Sequence, residues 1–316
     1  MSLPDGPDLQ AVNQHVEQLT DELYCEYEPT KGPYPDFRSR LAAWLDNIPN
    51  EEEQKVLFRL MRNLFFIGPK ELDNLYRIAF NENICQWIVE HLGITLDQPD
   101  LDDQLAKAIK RTWFCPITDS MRINAFYHLN HLSGRNLRPD WLSLGQFADA
   151  AKIDAFLKTP GKEIDRIVLL EDFVGSGDQI SAAIRFAAAL PSQTPVLVVP
   201  LVVCPTGATS LESSTKIYSN IAYSPVLKLG SLDFLALVPQ VGETRLHTDL
   251  RPVVQSTFTQ LLGGKTVDEA KIYGPFGFED TGSLVVLTTN CPDNTLPLIH
   301  HSSHTWNPLF PRASRV

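Results

Sequence analysis

The fold of this chain is decided by the stretch Ile167-Val168-Leu169-Leu170-Glu171-Asp172-Phe173-Val174-Gly175-Ser176-Gly177-Asp178-Gln179. It places four apolar residues, two adjacent carboxylates, two more apolar residues and a small polar loop in that order. The following run, Ile180-Ser181-Ala182-Ala183-Ile184, reads as the start of a helix. A continuous apolar run is typical of a parallel strand covered on both faces. The stretch therefore predicts a buried strand, a tight loop and a helix.

The pattern of apolar residues changes near residue 110. Before it, apolar side chains recur every three or four residues, which predicts helices. After it, continuous apolar runs at 112–117 and 196–203 alternate with helical patterns, which predicts further parallel strands. We therefore predict an α/β fold in which residues 106–316 form a mainly parallel sheet with its helices and residues 1–105 form a helical domain.

Composition restricts the class of protein. Hydrophobic residues make up 43% of the 316 residues, yet no apolar run approaches the roughly 18 that span a bilayer. Acidic Asp5 and Asp8 stand where a signal peptide would be basic, and the five cysteines are scattered without a C-x-x-C pair. We expect a cytoplasmic protein without a membrane segment. The net charge of −11 does not support direct binding to nucleic acid.

The chemistry of the acidic pair and of the loop after it indicates a ribose phosphate. Glu171 and Asp172 offer acceptors for two ribose hydroxyls, while the loop at 175–179 and the helix after it offer clustered N–H donors for a phosphate. Parallel strands bring successive loops to one edge of a sheet, so we expect the polar turn 118–120 beside the pair. Ser120 then either contacts an anion or only caps the next helix.

These residues resemble the phosphoribosyl pyrophosphate (PRPP) motif of type I phosphoribosyltransferases, over thirteen consecutive positions. The match departs at its end, where Asp178 and Gln179 replace the usual Thr or Ser. The resemblance implies a phosphoribosyltransferase-type sheet, PRPP or a related nucleotide as ligand, and Mg²⁺ held at Asp172. It implies two sets of phosphate contacts: Thr118, Asp119 and Ser120 for the pyrophosphate, and Gly175, Ser176, Gly177, Asp178 and Gln179 for the 5-phosphate.

The same resemblance assigns further residues around the proposed ligand. Arg135 and Arg138 lie where the family carries a mobile catalytic loop, and they either neutralise a departing pyrophosphate or are ordinary surface charges. With Glu171 and Asp172 they complete the predicted catalytic set. Three residues are assigned to contact with the substrate: Phe173, Asn290 and Asn294.

The C-terminal segment is similar to a phosphoribosyltransferase-like branch found in bacterial conflict and phage-defence gene clusters. The similarity rests on Asn290-Cys291-Pro292-Asp293-Asn294-Thr295-Leu296-Pro297 and on the ending Trp306–Arg312, and covers residues 105–312. It implies protein partners encoded in the same clusters. Nearby, His300, His301 and His304 are either a loop cluster or a zinc site.

Two classes of function remain open at this stage. One is an enzyme that transfers or cleaves at C1′ of the ribose, which the intact Glu171-Asp172 pair favours. The other is a nucleotide-sensing or partner-binding subunit without catalysis, which Asp178-Gln179 favours because a carboxylate repels a phosphate.

Overall fold

The structure, a computed structural model, describes Pro4, Gly6 and residues 9–29, 33–95, 97–134, 137–161, 163–230 and 245–313. It divides the chain into two compact units. We call Lys70–Leu229 the sheet unit, and Met1–Pro69 together with Gly230–Val316 the terminal unit. This division differs from the domain boundary predicted at residue 105.

Helices outnumber strands among the described residues of both units. The helices are α1 (Gln10–Glu22), α2 (Phe37–Leu45), α3 (Glu51–Leu60), α4 (Pro69–Ile78), α5 (Cys85–Leu92), α6 (Leu101–Lys110), α7 (Ile123–Leu129), α8 (Trp141–Phe147), α9 (Ala150–Leu157), α10 (Asp178–Ala188), α11 (Pro205–Thr215), α12 (Arg245–Leu262), α13 (Val267–Ala270) and α14 (Pro297–His300). A π-helical segment, Ala79–Ile84, joins α4 to α5. None of the helices in the described ranges is long and apolar enough to cross a membrane.

The strands are short except at the centre of the sheet unit. They are β1 (Phe65–Ile67), β2 (Thr112–Pro116), β3 (Arg166–Val174), β4 (Val196–Val203), β5 (Ile221–Tyr223), β6 (Leu227–Lys228) and β7 (Val285–Leu287). The sheet unit orders its strands β2-β3-β4-β5, and β6 pairs with the end of β4. Every one of these pairings is parallel, which confirms the predicted α/β fold with a mainly parallel sheet.

The central strands are buried on both faces. Ile167 to Leu170 of β3 are 0% exposed, and all eight residues of β4 are buried. Ile167 and Leu169 share a core cluster with residues of α10. Because side chains alternate along a strand, the other face carries different contacts. There the ring of Phe114 lies 5.8 Å from Phe126 and 6.4 Å from Phe80.

The terminal unit joins the two ends of the chain. Its strand β1 pairs in parallel with β7, with Phe65 opposite Val285. The indole Nε1 atoms of Trp44 and Trp306 both donate to the carbonyl oxygen of Leu298, at 2.7 and 2.9 Å. A helix from the first third of the chain is thus held by residues from the last.

Phe310 lies at the centre of an aromatic cluster in this unit. Its ring centroid is 5.0 to 5.6 Å from those of four aromatic residues, Tyr24, Tyr27, Phe37 and Phe66. All four precede residue 70. The helical pattern predicted upstream of residue 110 is present, interrupted by β1. Its apolar faces are completed by residues beyond 245, which periodicity within the N-terminal segment cannot reveal.

We predict that Phe310→Ala destabilises the terminal unit by ~3–5 kcal/mol, because it removes a fully buried ring and leaves a cavity. Urea unfolding followed by tryptophan fluorescence measures the loss. Phe147→Ala is the matched control, since that ring is 86% exposed, and it should change the free energy of unfolding by less than ~0.5 kcal/mol. An isolated 1–105 fragment that unfolds cooperatively by itself would contradict this account.

Candidate functional site

The two carboxylates lie near the carboxyl end of β3, past the end of its neighbour β2. Pro116, the last residue of β2, pairs with Leu170, so the chain leaves β2 where Glu171 begins. The loop after β2 therefore folds over the pair. The structure confirms the predicted proximity, since Thr118 and Ser120 both contact the acidic pair.

Glu171 holds this loop in place. Its side chain is 4% exposed, and both of its oxygens contact Thr118. The backbone N–H of Thr118 donates to Oε2 at 2.9 Å, and Thr118 Oγ1 lies 2.5 Å from Oε1. Sequence reasoning assigned both carboxylates to ribose hydroxyls. The geometry gives Glu171 a bracing contact and leaves Asp172 as the carboxylate that faces outward.

Asp172 is partly exposed and accepts two hydrogen bonds on Oδ1. Ser120 Oγ donates at 3.0 Å, and the backbone N–H of Phe173 donates at 2.8 Å. Ser120 Oγ also lies 2.8 Å from Thr118 Oγ1. A continuous chain of oxygens thus runs from Glu171 through the two hydroxyls to Asp172.

The Thr118 hydroxyl donates to Glu171 Oε1 and the Ser120 hydroxyl donates to Asp172 Oδ1, so each carboxylate of the pair accepts from one hydroxyl of the 118–120 loop. Burial raises the pKa of the Glu171 carboxyl well above its ordinary 4.5, and the charges of Asp172 and Asp119 raise it further against the hydrogen bonds from Thr118. The charged form of Glu171 is therefore disfavoured in the folded chain.

Asp172 has a milder environment. Burial raises the pKa of its carboxyl above 3.8, while the hydrogen bonds from Ser120 and Phe173 and the charge of Arg122 oppose that rise. Arg122 was missed by sequence reasoning, although it stands only two residues after Ser120. The signal available for Arg122 was a basic residue just after the 118–120 loop, where it could lie beside the acidic pair.

The loop after β3 packs closely against α11. Gly177 has φ of 93°, a left-handed conformation that favours glycine, and it precedes α10. On α11, Gly207 allows the approach, because a Cβ there would lie 2.6 Å from the carbonyl oxygen of Gly175. Gly207 was not singled out from the sequence. Asp178 and Gln179 open α10 and are both exposed, while Ser176 is partly exposed.

Of the two arginines predicted to be catalytic, the structure describes one. Arg138 lies over the ring of Tyr127, with 4.5 Å from its Cζ to the ring centroid, a cation–π contact within the sheet unit. Its role toward pyrophosphate stays a prediction. Arg135 lies outside the described residues.

Two of the three predicted substrate contacts belong to the terminal unit. Asn290 Oδ1 accepts from the backbone N–H of Cys291 at 3.0 Å, and Asn294 Nδ2 donates to the Phe278 carbonyl at 3.1 Å. These amides stabilise turns of their own unit. Phe173, partly exposed beside Asp172, is the third. A substrate role for all three stays a prediction.

Two observations concern the predicted metal sites, one for the histidine cluster and one for Mg²⁺. His300 is buried, its Nε2 lies 3.1 Å from the carbonyl oxygen of Thr295, and burial lowers its pKa to about 4. Within the described ranges, no group of three or more His, Cys, Asp or Glu side chains is arranged to hold a metal. The oxygen donors beside Asp172 nevertheless fit Mg²⁺, which proteins commonly hold through one or two carboxylates plus substrate phosphates.

We predict that Glu171→Gln makes the protein more stable relative to wild type as pH rises. Below about pH 4 the folded and unfolded chains both hold this proton; above 4.5 only the folded chain retains it, so wild-type stability falls until the raised pKa is passed. Glutamine mimics the neutral acid. The gain should be ~1.4 kcal/mol per pKa unit of elevation.

Urea unfolding at several pH values tests this, and Glu163→Gln is the control. Backbone N–H groups of Glu163 and Gly161 lower the pKa of Glu163, so its stabilising effect is present above the ordinary pKa of 4.5. That control should lose stability relative to wild type as pH rises, the opposite sign. Parallel wild-type and Glu171→Gln curves would refute a raised pKa for Glu171.

Comparison with known proteins adds the family. The family model PRTase-CE matches residues 41–312, which is most of the chain and includes helices well upstream of residue 105. No curated protein and no solved structure shows significant similarity to the chain. The match agrees with the parallel sheet and with the resemblance carried by the β3 motif. The chain belongs to the PRTase-CE family of phosphoribosyltransferase-like proteins.

Proposed function

We propose that this chain binds PRPP, or a related ribose 5-phosphate or nucleotide, at the carboxyl end of β3. The observation that carries the proposal is the hydrogen-bonded connection between the 118–120 loop and the Glu171-Asp172 pair. It brings hydroxyl, backbone and carboxylate groups of two loops to one edge of the sheet, where ligands bind in parallel α/β folds. Membership of the PRTase-CE family supports the same ligand class.

Asp172 is the group assigned to the ribose. Its two described hydrogen bonds fall on Oδ1, so we assign Oδ2 to the ribose hydroxyls. A charged acceptor makes a stronger hydrogen bond to a hydroxyl than a neutral one does. Glu171 keeps the 118–120 loop closed, which holds Ser120 and Asp172 in one orientation before the ligand arrives.

Phosphates are assigned to the two loops. Backbone N–H groups of Ser176 and Gly177 and the first turn of α10 face the 5-phosphate in this proposal, since a helix start attracts anions. The 118–120 loop receives the pyrophosphate, with Arg122 as the nearby cation. Mg²⁺, when bound by Asp172 and the phosphate oxygens, would neutralise charge on the pyrophosphate.

The proposed reaction is displacement at C1′. An acceptor nucleophile forms a bond to C1′ while the bond to pyrophosphate breaks and its electron pair leaves with the pyrophosphate. Positive charge develops on the ribose in the transition state. The negative charge of Asp172, hydrogen-bonded to the ribose hydroxyls, stabilises it. A nucleobase acceptor gives a transferase, whereas water gives a cleaving enzyme. Phe173, beside the carboxylate, offers a ring for stacking.

The second candidate is a sensing or partner-binding subunit, and Asp178 is the observation that favours it. This exposed carboxylate occupies the first position of α10. There its negative charge interacts with the helix dipole and repels a phosphate. A site of this kind binds a nucleotide without turning it over. Incubation with PRPP, Mg²⁺ and a panel of nucleobases, read by mass spectrometry, separates binding from transfer.

We also propose a role in bacterial phage defence, with protein partners from the same gene clusters and a cytoplasmic location. The support is the resemblance of the segments around Asn290 and Trp306 to the defence-associated branch. Protection of cells against phage by the wild-type chain is the corresponding measurement.

We predict that Asp172→Asn weakens binding of PRPP with Mg²⁺ by roughly ten- to a hundredfold, because a charged acceptor is replaced by a neutral one. Calorimetric titration measures the affinity. Asp102→Asn, an exposed carboxylate on α6 of the same unit, is the control and should bind as wild type does. If wild type protects cells, Asp172→Asn should not. Equal PRPP affinity of wild type and Asp172→Asn would exclude a ribose role for this carboxylate.

We predict that Asp178→Thr tightens binding of ribose 5-phosphate by about two- to fivefold, since it removes a negative charge from the phosphate loop. Affinity for ribose should stay unchanged because it carries no phosphate. Asp178→Glu keeps the charge and is the matched control. A 5-phosphate site at this loop is wrong if Asp178→Thr leaves both affinities unaltered.

A further inference from the structure

The sheet unit contains a cavity beside β2, at the opposite end of that strand from the candidate site. Its volume is about 700 Å³, within the range of pockets that hold small molecules. Thr112 and Phe114, near the start of β2, line the cavity, whereas the 118–120 loop follows the end of the strand. The cavity shares no lining residue with the candidate site, so the function proposed for that site does not account for it.

The strand β2 lies at one end of the sheet, and part of its backbone points away from β3. The N–H of Ile117 donates to the carbonyl oxygen of Leu170 in β3 at 2.8 Å. The backbone groups of successive residues alternate in direction along a strand, so those of Thr112, Phe114 and Pro116 face outward. The free edge of the sheet therefore borders the cavity at Thr112 and Phe114.

This edge presents one adjacent acceptor and donor to the cavity. Pro116 has no N–H, and the carbonyl oxygen of Phe114 already accepts from Tyr127 Oη at 3.3 Å. The carbonyl oxygen of Thr112 and the N–H of Phe114 form the pair on the cavity side of the strand. An added β-strand needs a longer row of such groups, and proline protects an edge against strand pairing. The edge thus fits a small molecule better than a peptide strand.

Aromatic rings reach the cavity from both faces of the sheet. The side chains of Trp113 and Phe114 point to opposite faces, because side chains alternate along a strand. The ring centroid of Phe80 lies 6.4 Å from that of Phe114, and the ring centroid of Phe156 lies 5.1 Å from that of Trp113. Phe80 and Phe156 both line the cavity and are partly exposed. A flat ring in the plane of the sheet would have one of them on each side.

We propose that this cavity is a second binding site of the sheet unit, for a planar heteroaromatic base that carries an amino group next to a ring nitrogen, as adenine does. The amino group donates to the carbonyl oxygen of Thr112, and the ring nitrogen accepts from the N–H of Phe114. The rings of Phe80 and Phe156 stack on the two faces of the base. The site is separate from the ribose-phosphate site argued above and does not depend on it.

Calorimetric titration of adenosine and of purine riboside is the first test. Purine riboside has the same rings without the amino group, so it lacks the donor to Thr112. Adenosine should bind the wild-type chain at one site, and purine riboside should bind about tenfold more weakly. Absence of adenosine binding, or equal affinity for the two nucleosides, overturns the proposal.

Variants at the cavity wall locate the bound adenosine. Ala106→Trp, at an exposed lining position of α6, should fill the cavity and abolish binding. Ala155→Trp, at an exposed position of α9 that does not line the cavity, is the matched control and should bind as wild type does. Adenosine binding that survives Ala106→Trp, or that is lost in Asp172→Asn, places the nucleoside elsewhere and overturns the proposal.

Removal of either stacking ring is the second test. Phe80→Leu and Phe156→Leu keep an apolar side chain but lose the flat ring, and each should weaken adenosine binding roughly five- to tenfold. Phe147→Leu is the control, since that ring is 86% exposed and does not line the cavity. Wild-type affinity in both ring variants overturns the proposal. The result is independent of whether the chain binds PRPP, so the two proposed sites stand or fall separately.

Discussion

The candidate site depends on the carboxyl group of Glu171, which is buried beneath the 118–120 loop. Glu171 is nearly inaccessible, and its contacts with Thr118 satisfy both of its oxygens. A buried carboxyl without such partners would cost several kcal/mol, so opening the loop is unfavourable. Closure of that loop is what places Ser120 over Asp172. One acid of the pair therefore stabilises the architecture, which leaves the other for the proposed contact with a ribose.

A second constraint, within the terminal unit, concerns the order of the chain. The first helices have apolar faces that only residues from the last third complete, through Phe310 and the carbonyl oxygen of Leu298. Such contacts separated by more than 200 residues in sequence must form before those helices are stable. The family match that starts at residue 41 and ends at 312 agrees with a chain whose two ends form one unit.

Local sequence patterns predicted the centre of the sheet and missed what closes it. The apolar run of β3 specified a strand buried on both faces, and parallel order alone placed the 118–120 loop beside Asp172. Predicting the Thr118–Glu171 contacts would have needed the register of β2 against β3. The periodicity of apolar residues does not specify that register. Gly207 acts through its approach to Gly175, a distant part of the chain, so it carries no local signal. The boundary predicted at residue 105 marks a change in the spacing of apolar residues. The two compact units are instead defined by contacts between residues far apart in the sequence.

Two local costs meet at this one edge of the sheet. Glu171 is held where its charged form is disfavoured, and the loop at Gly175 approaches α11 so closely that only glycine fits at 207. A sequence selected for packing alone removes such costs with single substitutions. Their concentration beside Asp172, while the strand below is packed without a polar side chain from Ile167 to Leu170, is what the proposed ligand site at this edge would account for.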